Sequence, residues 1–306
     1  MTVLLATPRG FCAGVRRAID AVRDALSIYG APVYVRRPIV HNLDVVRALE
    51  GEGAIFVQEL GEVPRGSVVV LSAHGVPPAV LRDARNRGLI AFDAVCPLVA
   101  KVHREVERHQ RNGRHVIVIG HRGHPEIDGT VGHLPDGAAS VVSSEADIDA
   151  LRFAPGEPMA YAVQTTYSVD DAAQLVEALV TRFPDIEGPA TTDICYATTN
   201  RQTAVRDIAI RADAVIVVGE SFSSNATRLA EVASLLCPQV QLVARPDELD
   251  RDRLAGARVI GITAAASTPE TSVQAIIDAL AEQFVVSTQE FESVEENVSF
   301  KRLAVA

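Results

Sequence analysis

The chain has 306 residues, with 29 Lys or Arg against 39 Asp or Glu, which gives a net charge of −10 when histidines are neutral. An acidic chain lacks the overall basic field expected of a nucleic-acid-binding protein. The hydrophobic fraction of 48% and the charged fraction of 22% are ordinary for a globular protein with a substantial core. No apolar run approaches the ~20 residues that a membrane helix needs, and no basic segment precedes the short apolar N-terminal run. We therefore expect a cytoplasmic enzyme or binding protein that uses neither nucleic acid nor a membrane.

Strand and helix patterns alternate along the whole chain. Short runs of Val, Ile and Leu predict buried parallel strands at residues 68–73, 115–120, 214–219 and 259–264. Amphipathic stretches between such runs predict helices, for example at residues 15–26 and 98–110. This alternation predicts an α/β fold with mostly parallel sheets.

Three of the four cysteines share one local context. Cys12, Cys96 and Cys195 each follow a strand-like or extended segment and precede a helix-like one. A thiolate near a helix N-terminus has a lowered pKa, which suits a metal ligand. Cys237 instead ends an apolar helical run before Pro238, a context typical of a small buried hydrophobic residue. Because no two cysteines form a CxxC pair, a zinc ribbon or a thioredoxin-like site has no support.

Two polar loops follow each of these three cysteines at similar intervals. The first loop carries a polar residue 29, 28 or 28 positions further on, namely His41, His124 and Ser223. The second carries one 62, 69 or 72 positions further on, namely His74, Thr165 and Ser267. Open parallel sheets bind ligands beyond the carboxyl ends of their strands, where all six loops are expected. The spacing therefore predicts three related α/β lobes around a common centre, with coincidence in a repetitive pattern as the alternative.

The same repeat sets the expected domain boundaries. Residues 13–96, 97–194 and 195–284 are predicted to form the three lobes, and residues 285–306 a C-terminal extension. Residues 89–95 and 189–194 each lead into the next cysteine, and the corresponding segment before Cys12 is the N-terminal stretch 1–12. We therefore expect the strand at residues 3–6 to complete the third lobe.

Three convergent thiolates could hold zinc or an iron–sulfur cluster, and a cluster with three Cys ligands would leave one iron open. The nearby loop residues form a compact, donor-rich set suited to phosphate or diphosphate: His41, His74, His124, Ser223, Ser224, Asn225 and Ser267. Neither GxxxxGK[ST] nor GxGxxG occurs, so the usual nucleotide sites have no motif support. Glu126 is the one carboxylate in these loops and is a candidate proton donor. The alternative for Glu126 is a first-turn residue stabilised by a helix dipole.

The remaining histidines offer no clear chemistry from the sequence. His103, His109 and His115 are expected in solvent, on a polar helix or at its exit. His121 shares the loop of His124 without an assigned contact, and His133 has no predicted role.

Nine motifs occur in order: PRGFCAGV, IVHN, SAHGV, DAVCPLVAKVH, GHRGHPE, QTTYSVDD, DICYATTNRQ, SSN and AAASTP, with VEENVSF near the end. In this order they resemble the motifs of the LytB/IspH family, the 4-hydroxy-3-methylbut-2-enyl diphosphate reductases, over nearly the whole chain. The resemblance implies an iron–sulfur oxidoreductase that catalyses the last step of the non-mevalonate isoprenoid pathway. Such an enzyme reductively removes the allylic hydroxyl of its substrate, giving isopentenyl and dimethylallyl diphosphate plus water.

The resemblance also implies roles for individual residues. Cys12, Cys96 and Cys195 would ligate a central [4Fe–4S] cluster whose open iron binds the substrate hydroxyl. Glu126 would supply protons, Thr165 would orient the hydroxyl, and His124 would lie close to both the proton relay and the diphosphate. The implied substrate-binding set is His41, His74, His124, Thr165, Ser223, Ser224, Asn225 and Ser267. A ferredoxin or flavodoxin is the implied electron donor.

Two stretches depart from the family pattern. Where the family usually has GGKNSSN or GSKNSSN, this chain reads GESFSSN, with Glu220 and Phe222. Where the family has TAGAS, this chain reads TAAAS, with Ala265. Glu220 adds negative charge near an anion-binding loop, and Ala265 restricts its loop if the position needs a positive φ.

Two other functions are compatible with the residues. A Cys₃ zinc site could hydrolyse a phosphorylated substrate. A paralogue could hold a cluster and bind the diphosphate without turnover, and Glu220 and Phe222 are the features that favour this alternative.

Overall fold

The computed structural model describes residues 1–304. Within that range the chain forms twelve strands and ten α-helices, and the strands form three separate sheets. Every pairing between these described strands is parallel. The predicted α/β fold with three lobes of parallel sheets is therefore confirmed. Its arrangement around a central iron–sulfur cluster stays a prediction.

The elements follow the chain in three groups after an N-terminal strand, β1 (Thr2–Thr7). The first group is α1 (Ala13–Tyr29), β2 (Val33–Arg36), α2 (Leu43–Gly51), β3 (Ala54–Val57), β4 (Val68–Leu71), α3 (Pro78–Asn86) and β5 (Ile90–Asp93). The second group is α4 (Pro97–Arg111), β6 (His115–Ile119), α5 (Pro125–Val131), β7 (Ala139–Val142), α6 (Glu145–Ala150), β8 (Met159–Val163) and α7 (Val169–Arg182). The third group is α8 (Tyr196–Ala209), β9 (Ala214–Val218), α9 (Ser224–Ser234), β10 (Val240–Val243), β11 (Val259–Ala264), α10 (Glu270–Ala281) and β12 (Ser287–Glu292).

The three sheets repeat one strand order. The first strand of each group lies between the next two, so that β2 separates β3 from β4, β6 separates β7 from β8, and β9 separates β10 from β11. The segment that leads into the next cysteine is then added beside the third strand. This segment is β5 in the first sheet, a single bridge from Glu187 to Ala160 in the second, and β1 in the third. The N-terminal strand thus lies in the third sheet, as the cysteine spacing predicts.

Strand β12 extends the third sheet beyond β1, with Thr2 opposite Ser287 and Thr7 opposite Glu292. Its sequence, STQEFE, is largely exposed and has no apolar alternation, so the sequence gives no strand signal there. The predicted C-terminal extension therefore contributes an edge strand rather than only a tail.

The structure divides into two compact units. One comprises Met1–Val15, His41–Val45 and Tyr196–Ser299 and contains the third sheet. The other comprises Arg16–Val40, Val46–Cys195 and the segment that begins at Phe300, and it contains the first and second sheets. The lobe boundaries at residues 13–96, 97–194, 195–284 and 285–306 stay a prediction.

Central strands are apolar throughout because helices cover both faces of their sheets. In β9, Ile216 and Val218 pack into one apolar cluster with α10, whereas Val215 and Val217 pack into another with α8 and α9. Side chains alternate between the faces of a strand, so a continuous apolar run fills two cores at once. The same alternation in β6 fills the two cores of the second sheet. None of the described helices is long and apolar enough to cross a membrane.

Candidate active site

Each of the three candidate cysteine ligands stands directly before a helix. Cys12 precedes α1, Cys96 is the N-cap residue of α4, and Cys195 precedes α8. All three are partly exposed, and none forms a disulfide within residues 1–304. Cys237 is 1% exposed, and its thiol lies 3.5–3.7 Å from the carbonyl oxygens of Ala212, Asp213 and Gln239. The burial of Cys237 agrees with the sequence prediction, whereas the role of the other three cysteines as ligands stays a prediction.

Backbone hydrogen bonds attach each cysteine to the second polar loop of a sheet. The peptide N–H of Cys12 donates to Ala266, that of Cys96 to Ala73, and that of Cys195 to Thr165, at 3.2, 3.0 and 3.1 Å. Each accepting residue lies two positions beyond the end of its strand, which is β11, β4 or β8. The repeat is therefore preserved at the level of single hydrogen bonds.

The positions of these residues relative to the strand ends correct the predicted match of Thr165 with His74 and Ser267. His74 and Ser267 lie three positions beyond the ends of their strands, whereas Thr165 lies two positions beyond β8. The structural equivalent of His74 and Ser267 is therefore Thr166. The first loops align as the spacing predicts, because His41, His124 and Ser223 all lie five positions beyond the ends of β2, β6 and β9.

Glu126 and Thr165 form a buried pair in the second sheet's loops. One carboxylate oxygen of Glu126 accepts the peptide N–H of Thr165 at 2.6 Å, and the other accepts its hydroxyl at 2.9 Å. Burial raises the pKa of Glu126 to about 7, against the lowering effect of both hydrogen bonds, while the charge of Asp193 raises it further. Glu126 does lie in the first turn of α5, but α5 is short and the carboxylate faces Thr165. A carboxylic acid with this pKa is suited to donating a proton near neutral pH.

His124 and His74 lie next to this pair. The Nδ1 atom of His124 accepts the peptide N–H of Glu126 at 3.2 Å, which leaves the ring proton of a neutral imidazole on Nε2. The rings of His74 and His124 meet edge to face with centroids 5.9 Å apart. Four of the predicted residues, His74, His124, Glu126 and Thr165, are thus brought together within one unit.

The other unit holds the remaining predicted substrate-binding residues, His41, Ser223, Ser224, Asn225 and Ser267. The hydroxyl of Ser267 donates to the carbonyl oxygen of His41 at 3.1 Å. Burial lowers the pKa of His41, which favours the neutral imidazole. Ser223 is the N-cap residue of α9, whose first turn then includes Ser224 and Asn225.

Asn225 carries a donor that needs an acceptor. Its side-chain oxygen accepts the peptide N–H of Ala266 at 2.8 Å, so the amide is fixed in orientation. The Nδ2 atom is buried and has no hydrogen-bond partner among residues 1–304. A buried unsatisfied donor beside the N-terminus of α9 fits an anionic ligand such as a phosphate oxygen.

The departures from the family pattern have local explanations. Glu220 is buried, and its carboxylate accepts the peptide N–H of Leu43 at 3.1 Å. Leu43 is the first residue of α2, so the negative charge lies at a helix N-terminus, where it is stabilised. Phe222 is half exposed, with its ring 6.1 Å from that of His41. Ala265 is buried with a negative φ, since Arg37 is the one non-glycine residue in the described chain with a positive φ.

The prediction that His103 and His109 are solvated is wrong. Both are buried, at 6% and 0% exposure. They belong to a stripe on α4 with the helical spacing of a core face: Val99, Val102, His103, Val106 and His109. The ring of His103 packs against that of His133, with centroids 4.1 Å apart and the planes tilted by 33°, and burial together with the charge of His133 lowers the pKa of His103 to about 3. His133 in turn lies 2.7 Å from Glu107.

Arg201 is a buried cation that the sequence analysis did not identify. It lies on the apolar stripe of α8 with Ala197, Ala204, Val205 and Ile208, and it is 1% exposed. An arginine at a core position of an amphipathic helix is the signal that could have identified it, because a buried charge requires partners.

The donor chemistry of the cysteines fits an iron–sulfur cluster. Cys12 belongs to one unit and Cys96 and Cys195 to the other. Within the described residues of either unit, no group of three or more His, Cys, Asp or Glu side chains could hold a metal ion. In a cluster each cysteine binds its own iron, so its ligands need not surround a single ion. The peptide N–H of Val15 donates to the sulfur of Cys12 at 3.4 Å.

Parallel sheets with polar loops at their carboxyl ends, a buried acid of neutral pKa and cysteines at helix starts define an α/β enzyme. A family profile described as LytB protein matches residues 3–281. The chain belongs to the LytB family. The resemblance stated from the motifs is confirmed.

Relatives named 4-hydroxy-3-methylbut-2-enyl diphosphate reductase match along nearly the whole chain. The protein of Beijerinckia indica is 52% identical over 300 residues, which cover 97% of this chain and 94% of that protein. The protein of Methylocella silvestris is also 52% identical, covering 98% and 95%. The solved structure of the E-1-hydroxy-2-methyl-but-2-enyl-4-diphosphate reductase of Plasmodium falciparum superposes with a TM-score of 0.95 at 40% identity, covering 99% and 95%.

Proposed function

We propose that this chain reduces 4-hydroxy-3-methylbut-2-enyl diphosphate to isopentenyl and dimethylallyl diphosphate plus water, the final step of the non-mevalonate pathway. Relatives about 50% identical over nearly the whole chain carry the name of this reductase. The observation that carries the proposal in the structure is the buried Glu126, held by two hydrogen bonds from Thr165 and with a pKa of about 7. It is the proton donor that removal of a hydroxyl as water requires.

In this proposal the reaction breaks one C–O bond and consumes two electrons and two protons. Glu126 gives a proton to the departing hydroxyl oxygen, and Thr165 orients that hydroxyl. The second proton reaches the allylic carbon, and the choice of carbon decides which of the two products forms. His124, whose Nδ1 accepts the N–H of Glu126, lies beside this proton path.

The diphosphate-binding residues are proposed from their donor chemistry. His41, Ser223, Ser224, Asn225 and Ser267 in one unit, and His74 and His124 in the other, supply imidazole, hydroxyl and amide donors. The buried Nδ2 of Asn225 supports this role, because an anion would satisfy it.

Cys12, Cys96 and Cys195 are the proposed ligands of a [4Fe–4S] cluster with one open iron. When bound, such a cluster supplies single electrons and a Lewis-acidic iron. A ferredoxin or flavodoxin is the proposed electron donor, and a cytoplasmic location stays a prediction.

The experiment is iron, sulfide and zinc analysis of protein purified without oxygen, followed by turnover with a chemical reductant. We expect iron and sulfide near four of each per chain, as a [4Fe–4S] cluster requires, and release of both products. Cys12→Ser should abolish cluster retention, whereas Cys237→Ser should leave the iron content unchanged. Zinc without iron would identify the hydrolase instead, and a cluster with substrate binding but no product would identify a non-catalytic paralogue.

A further inference from the structure

Arg201 lies in α8 and is fully buried, yet all of its charge-bearing groups are paired. Its Nε and Nη2 donate to the carbonyl oxygen of Gly10 at 3.0 and 2.7 Å. Nη1 donates to the carbonyl oxygen of Ala197 at 3.1 Å. Glu296 provides the countercharge, with its two carboxylate oxygens 3.1 and 3.3 Å from Nη1 and Nη2. A buried guanidinium without such a carboxylate would be strongly destabilised.

Gly10 is the residue through which this pair reaches Cys12. The peptide N–H of Gly10 donates to Ala264 at the end of β11, and Arg201 holds its carbonyl oxygen. Gly10 has a φ of +64°, and a Cβ added there would lie 3.0 Å from the carbonyl oxygen of Thr268. The peptide N–H and the carbonyl oxygen of Gly10 are therefore both held by hydrogen bonds, two positions before Cys12 in the chain. We call residues 8–12 the Cys12 loop.

A second ion pair ties the same loop to the C-terminal segment. Arg9 donates to Glu290 in β12 at 2.7 Å and to Glu270 in α10 at 2.6 Å. Asn200, next to Arg201 in α8, also donates to Glu296 at 3.1 Å. Adjacent residues of the Cys12 loop are thus connected to residues 287–296, Arg9 directly and Gly10 through Arg201.

We propose that residues 287–296 form a strap that fixes the Cys12 loop, with Glu296 as a positioning residue that acts through Arg201. Removing the Glu296 carboxylate leaves the Arg201 guanidinium buried without its countercharge. The guanidinium then turns towards solvent, and its hydrogen bonds to the carbonyl oxygen of Gly10 break. The loop then opens more often. That this loosening also releases a cluster rests on the proposed function, whereas the loosening itself does not.

The test is hydrogen–deuterium exchange of the anaerobically purified full chain, comparing wild type with Glu296→Ala. Exchange of the Gly10 and Cys12 amides should accelerate roughly tenfold or more, because a hydrogen bond to a charged group is lost. Glu295→Ala is the matched control, since Glu295 is the exposed neighbour of Glu296, and it should leave these amides unchanged. If Glu296→Ala does not fold, Glu296→Gln keeps the volume and one acceptor and should accelerate the same amides roughly threefold.

Two results would overturn the strap. Unchanged exchange at Gly10 and Cys12 in the Glu296 variants is one. Equal acceleration at Ile216 in the centre of β9 is the other, because Glu296 would then support the whole unit rather than the Cys12 loop.

A second readout follows the cofactor. Iron and sulfide per chain, and the rate at which visible absorbance is lost in air, should show faster loss in Glu296→Ala than in wild type or Glu295→Ala. Wild-type protein without iron and sulfide would refute the proposed function and leave the exchange result to decide on the strap. A wild-type cluster with unaltered exchange in the variants would refute the strap alone.

Discussion

Glu126 experiences two opposing influences on its pKa. Two hydrogen bonds from Thr165 favour the carboxylate, while burial favours the neutral acid and prevails, so the pKa rises to about 7. One residue thus both fixes the direction of the acid and keeps its pKa from rising further. Thr165 carries this double role because both its peptide N–H and its hydroxyl face Glu126.

The pKa of Glu126 predicts how turnover depends on pH. Only the protonated acid donates, so kcat should fall as the pH rises above about 7, by roughly tenfold per pH unit. Glu126→Gln should retain substrate binding and lose turnover by ~10²-fold or more. The measurement is kcat across the neutral and alkaline range at saturating reduced donor. A flat profile would remove Glu126 from the role of proton donor.

The same shift predicts a pH-dependent stability. The folded-state pKa of about 7 exceeds the ordinary value of 4.5, so the folded state loses stability as the pH rises through that interval. The loss amounts to about 3 kcal/mol once the acid is fully ionised. Glu126→Gln avoids it and can still bond to Thr165 through its oxygen and its amide. Its advantage in denaturation midpoint over wild type should be larger at about pH 8 than at about pH 5. An advantage of equal size at both would contradict the shifted pKa.

At the scale of elements, the loop that carries His74 depends on the side chains that pack against it. Gly75, next to His74, has a φ of +80°, and a Cβ added there would lie 2.4 Å from the ring of His103. His103 itself packs against His133, which is paired with Glu107. The buried histidines of α4 therefore support the loop that carries His74.

Two glycine-to-alanine substitutions measure how strongly His103 supports the loop that carries His74. Gly75→Ala incurs both the positive φ and the clash with His103, whereas Gly137 has a φ of +79° with no atom within 4 Å of an added Cβ. Gly137→Ala should cost about 1 kcal/mol in the free energy of unfolding, and Gly75→Ala about 2–4 kcal/mol. Denaturant titration of the two variants measures the difference. Equal losses in the free energy of unfolding for the two variants would show that the ring of His103 moves aside without strain.

A strand can be predicted from the sequence when its own residues carry an apolar pattern, but not when it forms only by pairing with a distant strand. Strands β4, β6, β9 and β11 were predictable because each is a nearly continuous apolar run that is buried along its length. Strand β12 was not, since its six exposed residues owe their conformation to pairing with β1, which no local pattern records.

The residues of the candidate site also divide into those that the sequence could predict and those that it could not. The candidate cysteines, histidines and Glu126 could be proposed from spacing and motif, because both are read directly from the sequence. Arg201 and Glu296 were missed, since their pairing joins residues 95 positions apart and depends on burial. The prediction that His103 and His109 are solvated is wrong because both lie on the buried apolar stripe of α4, where position on the helix outweighs side-chain polarity.

At the scale of the whole molecule, the N-terminal strand belongs with the last group of elements. β1 lies between β11 and β12 and is buried, although β2 follows it along the chain. Contacts between residues more than 250 positions apart therefore hold the third sheet together. Long-range pairing of this kind forms late or slowly in folding.

Native-state hydrogen exchange in increasing denaturant tests this grouping. The amides of Val3 and Leu5 should open with the same free energy as those of Ile260 and Ile262, because neighbouring strands of one sheet open cooperatively. Amides of Val69 and Val70 in β4 provide the comparison within the other unit. Opening of β1 together with β4 and apart from β11 would contradict the grouping.

The hydrogen bonds that tie each cysteine to a strand-end loop have an electrochemical consequence. The reduction potential of an iron–sulfur cluster depends on the hydrogen bonds that its sulfur atoms accept. Here the peptide N–H groups of Cys12, Cys96 and Cys195 are directed at the carbonyl oxygens of Ala266, Ala73 and Thr165 instead. These three N–H groups therefore do not donate to cluster sulfurs, whose reduced and more negatively charged state such hydrogen bonds would stabilise. For the proposed ligands, the hydrogen bonds that tune the potential would therefore come from other groups, such as the peptide N–H of Val15, which donates to the sulfur of Cys12.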